Sequence, residues 1–418
     1  MYKKVILENN IPVVMDLTRD TRSLCMGIWV KTGSRNETSK KFGIAHFLEH
    51  MFFKGTDKRS AKDIAVEIDS LGGELNAFTS RENTAFFIKV LDEHIEKAIE
   101  LLTDIFMNSV FPGNEIRKEK GVISEEIKSV EDTPEDYIHD LFNETAWKDS
   151  GLAHPVLGSE DIIATFTEQD LVEYVEDYYG AKNIVVACSG NFEEEGMIEK
   201  LNRTIGTMQR ISSPAQEPCP EFIPGINIIP KELSAVQLCL GVKGLPQASE
   251  DRYCMHLLNT ILGAGFSSRL FQEIREKRGF AYSVGSFNVS YLDTGVWTVY
   301  TGTDRKHVSE VVEIITDQLK GLPETLTAGE LQRAKNQLKG SLILALESTG
   351  SKMSNIAKQE IYYGKYFSPE DIIRAVESVT LEDLIELSRR LVRNNDFALT
   401  AFGPVKEKEL RDSLRSSA

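Results

Sequence analysis

Residues 46–55 read HFLEHMFFKG, an apolar run interrupted by three polar side chains. Phe47, Leu48, Met51, Phe52 and Phe53 surround His46, Glu49 and His50. Polar groups in such a setting cost free energy unless they are hydrogen-bonded, paired or bound to a metal. On a helix, at about 100° per residue, His46 and His50 lie about 40° apart, and Glu49 lies about 60° to the other side of His46. All three therefore share one face. Two imidazoles at this spacing can grip one zinc ion, and a carboxylate beside them can take a proton from water that the ion has acidified. The order H-x-x-E-H inverts the commoner H-E-x-x-H arrangement.

A catalytic zinc site usually has three protein ligands. His94, His139, His154, His256 and His307 are isolated in the sequence and read as surface or core-edge residues. A better source is NEIRKEKGVISEEIKSV, residues 114–130. Read as a helix, it has an apolar face of Ile116, Val122, Ile123, Ile127 and Val130. Glu119 and Glu126 fall on that face within about 20° of each other, while Glu125 points away. One metal site would satisfy both: Glu126 as direct ligand, and Glu119, two turns earlier, as the group that orients a histidine. A helix whose acidic edge is merely solvated would carry the same residues, and spacing alone leaves that alternative open.

The elements that must position these residues can be read in outline. Tyr2–Glu8 and Ile11–Leu17 flank Asn9–Asn10 as the two strands of a hairpin. Ser60 is placed to cap a helix running to about Leu71, which Gly72–Gly73 would end. ELNAFTS and NTAFFIKVL, which follow, read as strands. The second half of the chain repeats the order of the first. SLCMGIWVKTGS near residue 23 answers AVQLCLGVKGLP near residue 235, and HIEKAIELLTDIF from His94 answers HVSEVVEIITDQL from His307. EIRKEKGVI from Glu115 likewise answers ELQRAKNQL from Glu330. Between the halves, ISSPAQEPCPEFIPG holds four prolines and reads as an extended linker over residues 211–225. The expected fold is α+β: two duplicated domains, 1–210 and 226–418, each a mainly antiparallel sheet packed with helices.

Bulk properties narrow the partners. A length of 418 residues suits two domains, and a net charge of −16 disfavours nucleic acid and anionic membranes. The five cysteines form no C-x-x-C pair, as expected of buried thiols in a reducing compartment. MYKKVILENN reaches a polar turn after three apolar residues, so no signal-peptide core is expected, and no apolar run approaches the length of a membrane span. The expected location is the cytoplasm.

HFLEHMFFKGT, followed by a glutamate 126 − 50 = 76 positions beyond His50, resembles the pitrilysin (insulinase) family of zinc metallopeptidases. Within it the chain is most similar to the β-subunit of the mitochondrial processing peptidase and its bacterial homologues. GGELNAFTSREN at 72–83 resembles the family's substrate-binding edge strand, and EKGVISEE at 119–126 resembles its helix with the third ligand. SSRLFQEIREKRGFAYSV at 267–284 resembles a second-domain segment whose arginine and tyrosine reach the substrate, here Arg275 and Tyr282. The second half departs from the motif: NTILG stands opposite H-x-x-E-H, and about Ser341 stands opposite Glu126.

The resemblance implies a bacterial zinc endopeptidase with one Zn²⁺ per chain, held by His46, His50 and Glu126, with Glu49 as general base and Glu119 behind a ligand. It implies extended peptide substrates that add as a strand along Asn76, Ala77, Phe78 and Thr79, with Arg275 and Tyr282 donating hydrogen bonds. Short members of the family pair, so a homodimer is expected. The competing readings are a non-catalytic assembly subunit and a binding module with structural zinc. Loss of any of the four metal-site residues would favour the first, and none is lost; the second leaves Glu49 without a task.

Overall fold

The computed structural model describes residues 1–212, 218–407 and 410. Two sheets organise it. The first contains β1 (Tyr2–Ile6), β2 (Pro12–Leu17), β3 (Ser23–Val30), β4 (Glu74–Thr79), β5 (Thr84–Leu91) and β6 (Ile184–Gly190), in the order β1-β2-β6-β3-β5-β4. The second contains β7 (Gly225–Ile229), β8 (Val236–Lys243), β9 (Ala281–Ser290), β10 (Gly295–Thr303) and β11 (Ala398–Phe402), in the order β7-β11-β8-β10-β9. Without β1, the first order has the same form as the second. Each sheet has one parallel pair, β2 with β6 and β7 with β11, and its other pairs are antiparallel. The α+β duplication expected from the sequence is present.

Local chemistry explains the element ends. The first hairpin turns at Asn10, which takes a left-handed φ of 67°, a conformation that asparagine tolerates better than most residues. Strand pairing then begins at Ile6 opposite Pro12, so the strands are shorter than the sequence suggested. α1 spans Ile44–Met51 and α2 spans Ala61–Ser70. Ser60 caps α2 by accepting from Asp63 N, and the Asp63 carboxylate accepts from Ser60 N in return. α3 (Ile95–Asn108), α4 (Gly113–Glu131) and α5 (Pro134–Ala146) follow. α4 buries Ile116, Ile123 and Ile127. Val122, expected on that face, is instead 50% exposed, because it lies about 100° around the helix from Ile123.

The chain divides into two compact units: one of Met1–Lys128, His154–Pro218 and Ala345–Tyr366, the other of Ser129–Ala153, Cys219–Leu344 and Phe367–Ala418. A boundary in the linker accounts for most of each unit but not for two helical segments. α5, from the first half of the sequence, packs on β8 and β11; the Thr349–Tyr363 helix, from the second half, packs on β2, β3 and β6. The central strands prepare for this with the same tetrapeptide form, Leu24-Cys25-Met26-Gly27 and Leu238-Cys239-Leu240-Gly241. A Cβ on Gly27 would stand 2.7 Å from Met353 Sδ, and one on Gly241 would stand 2.8 Å from Phe142 Cζ. Glycine at these positions lets the exchanged helix lie against the strand.

Residues 213–217 of the expected linker lie outside the described residues. On its N-terminal side, Ser212 Oγ accepts from Gly180 N at 2.6 Å. On the other side, Phe222 is buried, its ring 5.7 Å from Trp147 and edge-on to it, and Gly225 already begins β7.

Candidate metal centre

α1 and α4 bring three of the sequence-predicted residues together. The ligand atoms of His46, His50 and Glu126 all lie within 4.8 Å of one another. Glu126 Oε2 stands 3.9 Å from His46 Nε2 and 3.7 Å from His50 Nε2. Two donors each about 2.0–2.1 Å from a tetrahedral ion are about 3.4 Å apart, so small side-chain adjustments would seat one zinc. Burial, with the neighbouring His50 second, pushes the pKa of His46 down to about 4. Its contact with Glu126 is therefore not an ion pair; the imidazole is neutral, the form in which it binds metal. Two imidazoles with one carboxylate fit zinc in their chemistry.

Glu119, further back along α4, is buried and approaches the other nitrogen of His50, Oε2 to Nδ1, at 3.1 Å. Its second oxygen meets Lys54 Nζ at 2.6 Å, which balances a charge that is only 4% exposed. Lys54 belongs to the opening motif, four residues after His50, yet nothing in the sequence marked it as Glu119's counter-ion. Glu125 is turned outward and paired with Lys128 at 3.0 Å.

Glu49 points from α1 towards the edge strand β4. Thr79 Oγ1 donates to Glu49 Oε2 at 2.6 Å. Burial raises the Glu49 pKa and the Thr79 hydrogen bond opposes that rise. A carboxyl group with a raised pKa exchanges protons near neutral pH more readily than a solvated one.

Among the described residues β4 pairs only with β5, which leaves its other edge open. Ala77 packs with the core beneath α1, while Phe78 meets Trp29 edge-on at 5.3 Å in a separate cluster that includes Met353 and Ile356. Asn76 Oδ1 accepts from Ala77 N at 2.8 Å, so the side chain covers one of its own strand's amides. The four residues expected to meet substrate therefore divide between the two faces of the sheet. A buried ion pair anchors the turn after β4: Arg35 Nη1 to Glu82 Oε1, 2.6 Å. Tyr362 Oη donates to Glu82 Oε2 at 3.1 Å and accepts from Asn83 Nδ2 at 2.8 Å.

Arg275 and Tyr282 are brought together in the second unit. Arg275 lies in a π-helical turn, Phe271–Glu276, with its guanidinium 4.8 Å from the Phe271 ring and 4.9 Å from the Tyr282 ring. Tyr282 is 84% exposed at the start of β9, an edge strand like β4. The segment opposite the metal motif serves packing instead: Asn259 Oδ1 accepts from Trp297 Nε1 at 2.9 Å and from Ser286 Oγ at 2.8 Å.

Comparison with known proteins agrees with this architecture. Residues 13–160 match the family described as insulinase (peptidase family M16), and residues 165–338 match the peptidase M16 inactive domain. A protein of Bacillus subtilis named as an uncharacterized zinc protease is 41% identical over 97% of this chain and 98% of its own length. One of Streptomyces coelicolor with the same description is 36% identical over 97% of this chain and 90% of its own. A solved peptidase M16 inactive domain from Pseudomonas fluorescens shares the fold at TM-score 0.91 and 19% identity, covering 97% of this chain and 98% of that one. A protease structure from Helicobacter pylori does so at TM-score 0.88 and 24% identity, covering 96% and 99%. With both family domains matched in order and relatives of this identity along nearly its whole length, the chain belongs to the insulinase (M16) peptidase family.

Proposed function

We propose that the protein is a zinc-dependent endopeptidase of the inverted H-x-x-E-H type that cuts short or unfolded peptides. The observation that carries this reading is the convergence of His46, His50 and Glu126, with Glu49 on the same helix and hydrogen-bonded to an open-edged strand. Its relatives' names as zinc proteases support it. His46, His50 and Glu126 would hold the ion, with Glu119 and Lys54 fixing the His50 ring from behind. Zinc there would supply Lewis-acid polarisation and acidify water.

The chain's own residues supply the remaining steps. The Glu49 carboxylate takes the proton from the attacking water and returns it to the leaving amine as the peptide C–N bond breaks. Thr79 fixes the direction from which Glu49 acts. A substrate lying along β4 gains main-chain hydrogen bonds that demand an extended chain rather than a particular sequence. For that, the Asn76 side chain must give up Ala77 N. Arg275 and Tyr282 would donate to peptide carbonyl groups or to the developing oxyanion. Because they lie in the unit without the metal residues, the proposal extends to a homodimer in which the first unit of one chain is served by the second unit of its partner. The five free thiols among the described residues support a reducing, cytoplasmic location. Among the described residues, no helix is long and apolar enough to cross a membrane.

The test is cleavage of an unstructured peptide by the purified protein, alone, with a zinc chelator, and after zinc is restored. Loss with chelator and recovery with zinc are expected. Cleavage unaffected by thorough removal of metal would refute the assignment.

A further inference from the structure

We propose that Glu37 is a positioning residue that fixes the first turn of α1 and, through it, aims the imidazole of His46. The inference rests on the zinc reading above and extends it to a side chain outside the metal ligand set. The first amides of a helix have no intrahelical acceptor, and a Ser, Thr, Asp or Asn at the N-cap commonly provides one. The N-cap of α1 is Gly43, with φ of 91° in the left-handed region. A side chain there is excluded on two grounds: the backbone conformation, and a Cβ position 2.6 Å from Leu157 O and 2.9 Å from Gly158 Cα.

The missing acceptor comes from upstream. Glu37 Oε2 accepts from Gly43 N at 2.7 Å and Oε1 accepts from Ala45 N at 2.8 Å. Burial pushes the Glu37 pKa up to about 8, and the hydrogen bonds from Ala45 N and Gly43 N oppose that rise, as does the partial positive charge at a helix start. Glu37 is 7% exposed, and Ala45, one of its partners, immediately precedes His46.

His46 depends on this anchor more than His50 does. The His50 ring is oriented from behind by Glu119. His46 Nδ1 is buried and has no hydrogen-bond partner among the described residues. Its ring is aimed by packing and by the backbone from which it projects, and that backbone is tied down by Glu37. A carboxylate acting through backbone amides thus does for His46 what Glu119 does for His50.

The test is zinc affinity of the full-length protein, measured by competition with a chromogenic chelator. Glu37→Gln keeps the side chain's shape but replaces one accepting oxygen with an amide that cannot accept. Zinc affinity should fall about 10–100-fold, the range for loss of a group that orients a ligand, and the Gly43 and Ala45 amides should exchange with solvent faster. Ser60→Ala is the matched control. It removes the cap of α2 in the same unit and should leave zinc affinity at the wild-type level. Unchanged affinity in Glu37→Gln, or an equal loss in Ser60→Ala, would overturn the inference. If Glu37→Gln does not fold, Glu37→Asp decides: it draws the carboxylate back by one methylene, and wild-type affinity there would also overturn it. A wild-type chain that does not bind zinc would instead refute the metal reading, so the two failures are distinguishable.

Discussion

Glu125 and Glu126 are neighbours in sequence with opposite surroundings. Glu126 turns inward to two imidazoles, whereas Glu125 is 76% exposed beside Lys128. Glu126→Ala should therefore sharply lower the zinc content of the purified protein, and Glu125→Ala should leave it unchanged; equal loss would contradict the single-ligand assignment. An exposed pair such as Glu125–Lys128 is screened by solvent and too weak to disturb the site indirectly. The distinction was legible in the sequence because helical periodicity separates the two residues by about 100°. The same rule misplaced Val122, since it treats a broad apolar arc as wholly buried. Glu37 was not legible at all. A side chain that reaches backbone amides six and eight residues ahead leaves no periodic trace, and its need arises only from the crowding around Gly43.

At the scale of elements, the exchanged helices matter most. Thr349–Tyr363 places Met353 and Ile356 against Val14, Trp29 and Val185, and Trp29 Nε1 donates to Met353 Sδ at 3.2 Å. The same helix brings Tyr362 to the turn after β4. Complete burial of two such side chains is worth about 3–6 kcal/mol, a large part of the roughly 5–15 kcal/mol that holds an average domain together. A fragment of residues 1–210 should accordingly be poorly folded and inactive, and co-expression with residues 211–418 should restore soluble, active protein. A stable, zinc-binding 1–210 fragment would contradict the structural role given to this helix. The sequence showed the duplication because each half repeats its order of strands and helices. It did not show the exchange, because an amphipathic helix records that it has a buried face but not which sheet covers it. The shared Leu-Cys-x-Gly tetrapeptides were visible, but the reason for their glycines was not.

At the scale of the whole molecule, the metal residues belong to one unit and the Arg275–Tyr282 pair to the other. If the proposed homodimer shares its sites, mixing a Glu49→Gln chain with a Tyr282→Phe chain should restore activity above that of either alone, since a mixed dimer has one site with both residues intact. No recovery in a mixture shown to exchange subunits would mean that each chain serves its own site or that Tyr282 does not take part. The convergent residues are proposed to form a zinc centre with Glu49 as its base, and paired measurements on Glu49→Gln separate binding of the metal from use of the base. Zinc content should stay at the wild-type level while peptide turnover falls by roughly 10²–10⁴-fold, the usual contribution of a general base. Near-normal turnover by a zinc-loaded Glu49→Gln protein would show that Glu49 is not the base.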